Sequence, residues 1–121
     1  MAVIWVAAGG AAGAVCRYAV MLLTPRLPIA TLIVNVAGSL LLGFVWHYCA
    51  TRWPGWWQAS GALLIGTGFC GAFTTMSALA LETRHLLDAG ATGLAMVFSL
   101  GSLVLSVAAL YAGIVMARAL L

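Results

Sequence analysis

Gly66-Thr67-Gly68-Phe69-Cys70-Gly71-Ala72-Phe73-Thr74-Thr75-Met76-Ser77-Ala78-Leu79 lies in the middle of an apolar run from Ala59 to Leu81. Three glycines and two adjacent threonines are poor choices for an unbroken helix. Each glycine costs about 1 kcal/mol against alanine and leaves the backbone free to open. The stretch therefore has two readings. In one, its small residues let neighbouring helices approach closely, as glycines do in membranes. In the other, the helix breaks, and a break in hydrocarbon is tolerated only where the freed carbonyls meet protein, water or an ion. The hydroxyls of Thr74, Thr75 and Ser77 favour a functional break.

The composition around this stretch sets the class. The 121 residues are 65% hydrophobic and 6% charged, with five basic residues, all arginine, against two acids. No soluble domain of ordinary composition looks like this. At about 20 residues per span the chain holds four transmembrane helices and no separate soluble domain. The expected fold is an all-α membrane protein with spans at about 2–23, 29–48, 59–81 and 91–117, broken in the third. No cleavable leader is expected, because the first apolar run lacks a basic start and continues at spanning length. Cys16, Cys49 and Cys70 show neither metal-ligand nor disulfide spacing and read as small buried residues. The pI of about 9.1 reflects membrane flanks and gives no reason to expect a nucleic-acid partner.

Outward from the centre, the first span carries Gly9 and Gly13 in a GxxxG pattern that permits close helix contact. It also carries Arg17, which either snorkels to the interface or acts within the membrane. Thr24-Pro25-Arg26-Leu27-Pro28 ends that span. The second span stacks Thr31, Asn35 and Ser39 at i, i+4 and i+8 on one stripe. An asparagine at that depth either bonds a neighbouring helix or faces a wet path. Trp46, His47, Tyr48, Trp53, Trp56 and Trp57 gather around Arg52 and Pro54 as an aromatic interfacial belt. His47 reads as part of that belt, having no second imidazole or carboxylate nearby.

Beyond the central run, Glu82-Thr83-Arg84-His85-Leu86-Leu87-Asp88 forms a polar turn in which Glu82 can cap the helix or pair with an arginine. The last span repeats the second span's geometry, with Phe98, Ser102 and Ser106 at i, i+4 and i+8. Two facing stripes can line a pore, or the serines can bond back to their own helix. Arg52 and Arg118 fall on one side of the membrane and Arg26 and Arg84 on the other, so charge gives no preferred orientation. A small, unbiased chain of this kind is a candidate for dual topology, two oppositely inserted copies forming an antiparallel dimer.

Gly9-Gly10-Ala11-Ala12-Gly13-Ala14-Val15-Cys16-Arg17-Tyr18, then Thr31-Leu32-Ile33-Val34-Asn35-Val36-Ala37-Gly38-Ser39 with Gly43, then Gly66 to Ser77 through Glu82, resemble the three signature segments of the Fluc (CrcB-type) fluoride channels. The resemblance covers nearly the whole chain. It implies a multi-pass bacterial inner-membrane protein, an antiparallel dual-topology dimer with two fluoride pores, and one sodium ion at the two-fold axis. By the same resemblance that sodium is structural and not transported, and backbone carbonyls of Gly71 and Thr74 from each copy hold it. The resemblance also implies pore roles for Thr31, Asn35, Ser102 and Ser106, and places Arg17 and Glu82 near the vestibules. The chain departs from the family at Met76 and Leu79, where two phenylalanines usually stand. It departs again at Phe98, where the family often has a tyrosine.

The implied activity is passive export of cytoplasmic fluoride to limit its toxicity, with the membrane bilayer and a second inverted copy as partners. Fluoride is small and strongly hydrated, so a dry pore must replace its water with hydrogen-bond donors, which amides and hydroxyls supply. An alternative is a pore-impaired or partner-dependent subunit that works only beside an unlike chain. A small dual-topology cation exporter is more distant, because such export calls for an acid inside a span, whereas Asp88 lies in a turn and Glu82 at a helix end. An enzyme is not expected, since no nucleophile, base and orienting group recur together.

Overall fold

The computed structural model describes residues 1–24 and 28–121. Its helices are α1 (Ala2–Leu23), α2 (Ile29–Arg52), α3 (Gly55–Gly61), α4 (Gly71–Phe73), α5 (Met76–Asp88) and α6 (Thr92–Ala119), with a π-helical segment, Ala62–Cys70, between α3 and α4. Four runs are long and apolar enough to cross a membrane: Ala2–Leu23, Ile29–Arg52, Gly55–Asp88 and Thr92–Ala119. The chain is thus an all-helical, multi-pass membrane protein. Pro25, Arg26 and Leu27, which the sequence assigns to the first turn, lie outside the described residues.

Two packing pairs dominate. Helix α2 lies along α6, and α1 lies along the π-helical segment. Both depend on glycines that let backbones touch. A Cβ at Gly43 would collide with the Leu110 carbonyl on α6, and one at Gly113 with the Leu40 carbonyl on α2. Likewise a Cβ at Gly9 would collide with the Leu64 carbonyl and one at Gly13 with that of Phe69. The Gly9 and Gly13 pattern is therefore the contact surface for the third span. Gly68 completes it from the other side, its Cα face standing against the Val6 carbonyl and Gly9.

Much of the remaining apolar surface faces outward, as expected of a chain solvated by lipid or by another chain. Ile4, Val15, Val97, Leu103, Val104 and Val115 are all exposed. At one end the aromatic belt closes on itself. The Trp57 ring stands 5.6 Å from that of Trp53, 5.3 Å from Trp56 and 6.2 Å from Trp5. Trp53 in turn covers Gly61, where a side chain would collide with its ring.

Candidate functional site

The centre of the molecule is built from two residues that leave helical geometry. Thr74 has φ −80° and ψ 158°, and Thr75 has φ −154° and ψ 114°. Asn35 of α2 meets them. Its Nδ2 donates to the Thr75 carbonyl at 3.2 Å, and the Thr75 N–H donates to its Oδ1 at 2.7 Å. The asparagine bonds a neighbouring segment, as one of its two readings had it, and the group it bonds is main chain. An amide has two N–H groups, so one stays available after the Thr75 carbonyl takes the other. Thr75 also caps α5, its Oγ1 accepting from the Ala78 N–H at 3.2 Å.

These bonds decide which carbonyls are freed. In a continuous α-helix the Thr75 N–H would donate to the Gly71 carbonyl and the Ala78 N–H to that of Thr74. Here the first is given to Asn35 and the second to the Thr75 hydroxyl. The Gly71 and Thr74 carbonyls thereby lose their helical donors, leaving hard oxygen acceptors of the kind that suit a small cation. One expectation needs correcting. Gly71 itself is helical, with φ −61° and ψ −36°, and a Cβ there would come no closer than 4.0 Å to its nearest neighbour. Glycine freedom is not used at position 71; the non-helical dihedrals are those of Thr74 and Thr75, and Asn35 bonds the second of them.

The polar stripes of the second and fourth spans converge beside this pair. Asn35 and Ser39 from α2, Thr74 and Thr75, Met76 and Leu79 from α5, and Ser102 and Ser106 from α6 line one cavity of about 640 Å³. Leu79 is buried at 7% exposure, whereas Met76 is 72% exposed. Ser99, on the same wall, bonds back to the Ala95 carbonyl at 2.8 Å, so the self-bonding reading of a membrane serine applies to it. It does not apply to Ser102. Ser102 is 2% exposed, and its hydroxyl has no hydrogen-bond partner among the described residues.

Phe98 lies elsewhere. It lines a second, apolar cavity of about 370 Å³ with Pro28, Leu32, Leu94 and Leu105, and among the described residues only Ser102 is common to both cavities. Thr31 also stands apart from the main cavity. It is 2% exposed and its Oγ1 donates to Glu82 Oε1 at 2.9 Å. The arginine partner considered for Glu82 is thus replaced by a hydroxyl from the start of α2; the second oxygen, Oε2, is buried without a partner among the described residues. The acidic partner of Arg84 is Asp88, at 2.9 Å on the exposed face of α5. Arg17 lines a third hollow, with Tyr18, Thr75 and Ser77.

The sequence reading named Thr75 only as a hydroxyl favouring a break, and it did not single out Gly38. Thr75 is both N-cap and partner of Asn35, and the rule that threonine favours the residue before a helix points to it. Gly38 faces Thr74 and Phe73 from α2, and no sequence pattern distinguishes it from glycines that merely admit a neighbouring helix.

Four spans, a non-helical Thr75 bonded to a buried asparagine, and a cavity with hydroxyls in otherwise apolar walls define a helical membrane protein with a polar core. Residues 4–114 match the family model described as "CrcB-like protein, Camphor Resistance (CrcB)", and the chain belongs to that family. It is 44% identical over 120 residues to a protein of Nitrobacter winogradskyi named fluoride-specific ion channel FluC, covering 93% of this chain and 92% of that one. A protein of the same name from Phenylobacterium zucineum is 43% identical over 122 residues, covering 97% and 95%. One from Paracoccus denitrificans is 44% identical over 119 residues, covering 95% and 93%.

Proposed function

We propose that this chain is a fluoride-specific ion channel of the bacterial inner membrane, a passive exporter and not an enzyme. Membership of the family and the names of its relatives support the ion, and one observation carries the route: the buried hydroxyl of Ser102, without a partner among the described residues, in the lining of both cavities. A buried hydroxyl without a partner costs about 1–3 kcal/mol, a deficit that an anion accepting its hydrogen removes. The free N–H of Asn35 and the Ser106 hydroxyl extend the same set of donors. Inside-negative potential drives an anion outward with about 2.3 kcal/mol per 100 mV, so no other energy source is needed.

The working unit in this reading is two oppositely inserted copies, and Thr74 with Thr75 form the functional break of the third span. The freed carbonyls of Gly71 and Thr74 from each copy fit a structural sodium ion. Sodium supplies positive charge where those oxygens would otherwise lie unbonded in a dry setting. Asn35 and the Thr75 hydroxyl keep the competing N–H groups away. The direct test is to reconstitute the chain alone in liposomes and record fluoride and chloride efflux with ion-selective electrodes. Fluoride efflux without chloride efflux is expected. Met76 and Leu79, in place of the usual rings, support the second reading, a subunit that needs an unlike partner. Silence of the pure chain, reversed by a related co-expressed chain, is the outcome that reading requires.

A further inference from the structure

Gly38 lies on α2, three residues beyond Asn35 and on the same side of the helix, and it is buried. Its surroundings differ from those of the packing glycines. At Gly43 and Gly113 an added Cβ would meet the backbone of a neighbouring helix. At Gly38 it would meet side chains only: it would collide with Thr74 Cγ2 and stand 3.2 Å from Phe73 Cδ1. The hollow left by the missing side chain is therefore filled by the Thr74 methyl.

Thr74 yields by turning about χ1 only at the cost of a hydrogen bond. Its Oγ1 donates to the Cys70 carbonyl at 2.9 Å, and on a β-branched residue the hydroxyl and the methyl turn together. Moving the methyl off Gly38 breaks that bond, so a Cβ at position 38 costs either the bond or a displacement of the Thr74 backbone and its carbonyl. Helix α2 thus holds both extended residues, Thr75 by the hydrogen bonds of Asn35 and Thr74 by the absence of a side chain at Gly38.

We propose that Gly38 is a positioning residue: by seating the Thr74 methyl it sets the direction of the Thr74 carbonyl toward the cation. The proposal rests on the reading of Gly71 and Thr74 as sodium ligands, and its contact can be reversed by one conservative change. Thr74→Ser deletes Cγ2 and keeps the hydroxyl. The nearest atoms to an added Cβ at position 38 are then Phe73 Cδ1 at 3.2 Å and the residue 74 Cβ at 3.8 Å, which a small shift of the phenyl ring accommodates.

The test compares the full-length wild type, Gly38→Ala, Thr74→Ser and the double variant by two measurements. One is fluoride efflux from liposomes. The other is the rise in thermal midpoint of the purified protein when sodium replaces N-methylglucamine at constant ionic strength. Gly38→Ala is expected to lower efflux by about tenfold or more and to remove most of the sodium-dependent rise. The double variant is expected to return both to within about threefold of Thr74→Ser. Wild-type behaviour of Gly38→Ala, or failure of Thr74→Ser to rescue it, overturns the proposal. If Gly38→Ala cannot be purified, recovery of folded, sodium-sensitive protein in the double variant supports the proposal, and a double variant no better than the single overturns it. A wild type without fluoride efflux but with a sodium-dependent rise defeats the channel reading and leaves the midpoint comparison to decide the role of Gly38. A wild type with no such rise overturns the positioning role, whatever the efflux.

Discussion

Asn35 and Thr75 hold each other through both ends of one amide, with a 3.2 Å bond to the Thr75 carbonyl and a 2.7 Å bond from its N–H. The side chain thus satisfies the main chain where α4 has ended and α5 has not begun. Replacing Asn35 by alanine leaves two buried backbone groups unpaired, each at about 1–3 kcal/mol. Asn35→Ala is expected to lower the thermal midpoint and reduce fluoride efflux by about a hundredfold. Asn35→Asp keeps the acceptor but turns a carboxylate oxygen toward the Thr75 carbonyl, so it should be nearly as damaging. Full activity and stability in Asn35→Asp would show that the paired amide is dispensable.

The packing of α1 on the third span predicts a contrast between neighbouring glycines. Gly13→Ala drives a methyl into the Phe69 carbonyl, whereas at Gly10 the nearest atom stands 4.0 Å away. Overpacking of a fitted contact costs about 1–3 kcal/mol. Gly13→Ala should therefore unfold at a lower temperature in detergent than Gly10→Ala, which should match the wild type. Equal midpoints for the two variants would contradict the close approach.

Thr31 and Glu82 form the link between the start of α2 and the middle of α5. A side-chain hydrogen bond is worth about 0.5–1.5 kcal/mol net, and the second oxygen of Glu82 is already without a partner among the described residues. Thr31→Val removes the donor at nearly constant volume and should reduce both stability and efflux. Thr31→Ser restores the hydroxyl and should recover both. If valine and serine behave alike, the hydroxyl carries no weight.

Dual topology has its own test at Gly55, where nothing lies within 4 Å of an added side chain. Gly55→Cys, in a background lacking Cys16, Cys49 and Cys70, should react with an impermeant thiol reagent from both sides of the membrane. Each side should reach roughly half of the molecules, as two equally populated insertions require. Labelling from one side only would exclude the antiparallel dimer.

What the sequence made legible followed regular periods. Hydropathy at spanning length located the helices, and the i, i+4, i+8 rule brought Asn35 and Ser39 opposite Ser102 and Ser106. GxxxG marked the contact face of α1. Contacts between residues far apart in the chain left no such trace. Nothing periodic says that Asn35 will bond Thr75, that Thr31 will reach Glu82, or that the Thr74 methyl will sit on Gly38, because each depends on how two segments cross. Phe98 shows the same limit. It shares a stripe of α6 with Ser102 and Ser106, but it lines a second cavity with Pro28 and Leu32, away from Ser106.

Met76 and Leu79, the departures from the family's usual pair of rings, occupy different settings on the same cavity wall. Leu79 is 7% exposed and Met76 is 72% exposed. An aromatic edge is positive and can face an anion; an aliphatic leucine has no such edge, while the methyl beside the methionine sulfur is weakly polarised and flexible. Met76 is thus the better substitute for a ring in this chain, and also the easier one to convert, since its surroundings are open. Met76→Phe should raise fluoride efflux without loss of stability. Leu79→Phe must expand into the cavity beside it, and it should add to the rate only if its neighbours are not overpacked. The double variant is expected to conduct faster than the wild type, and a gain of tenfold requires only about 1.4 kcal/mol of barrier. Preference over chloride should stay unchanged, because Asn35, Ser102 and Ser106 are untouched. An unchanged rate in the double variant would mean that these positions do not limit flux, and fluoride efflux from none of the forms would favour a subunit that needs an unlike partner.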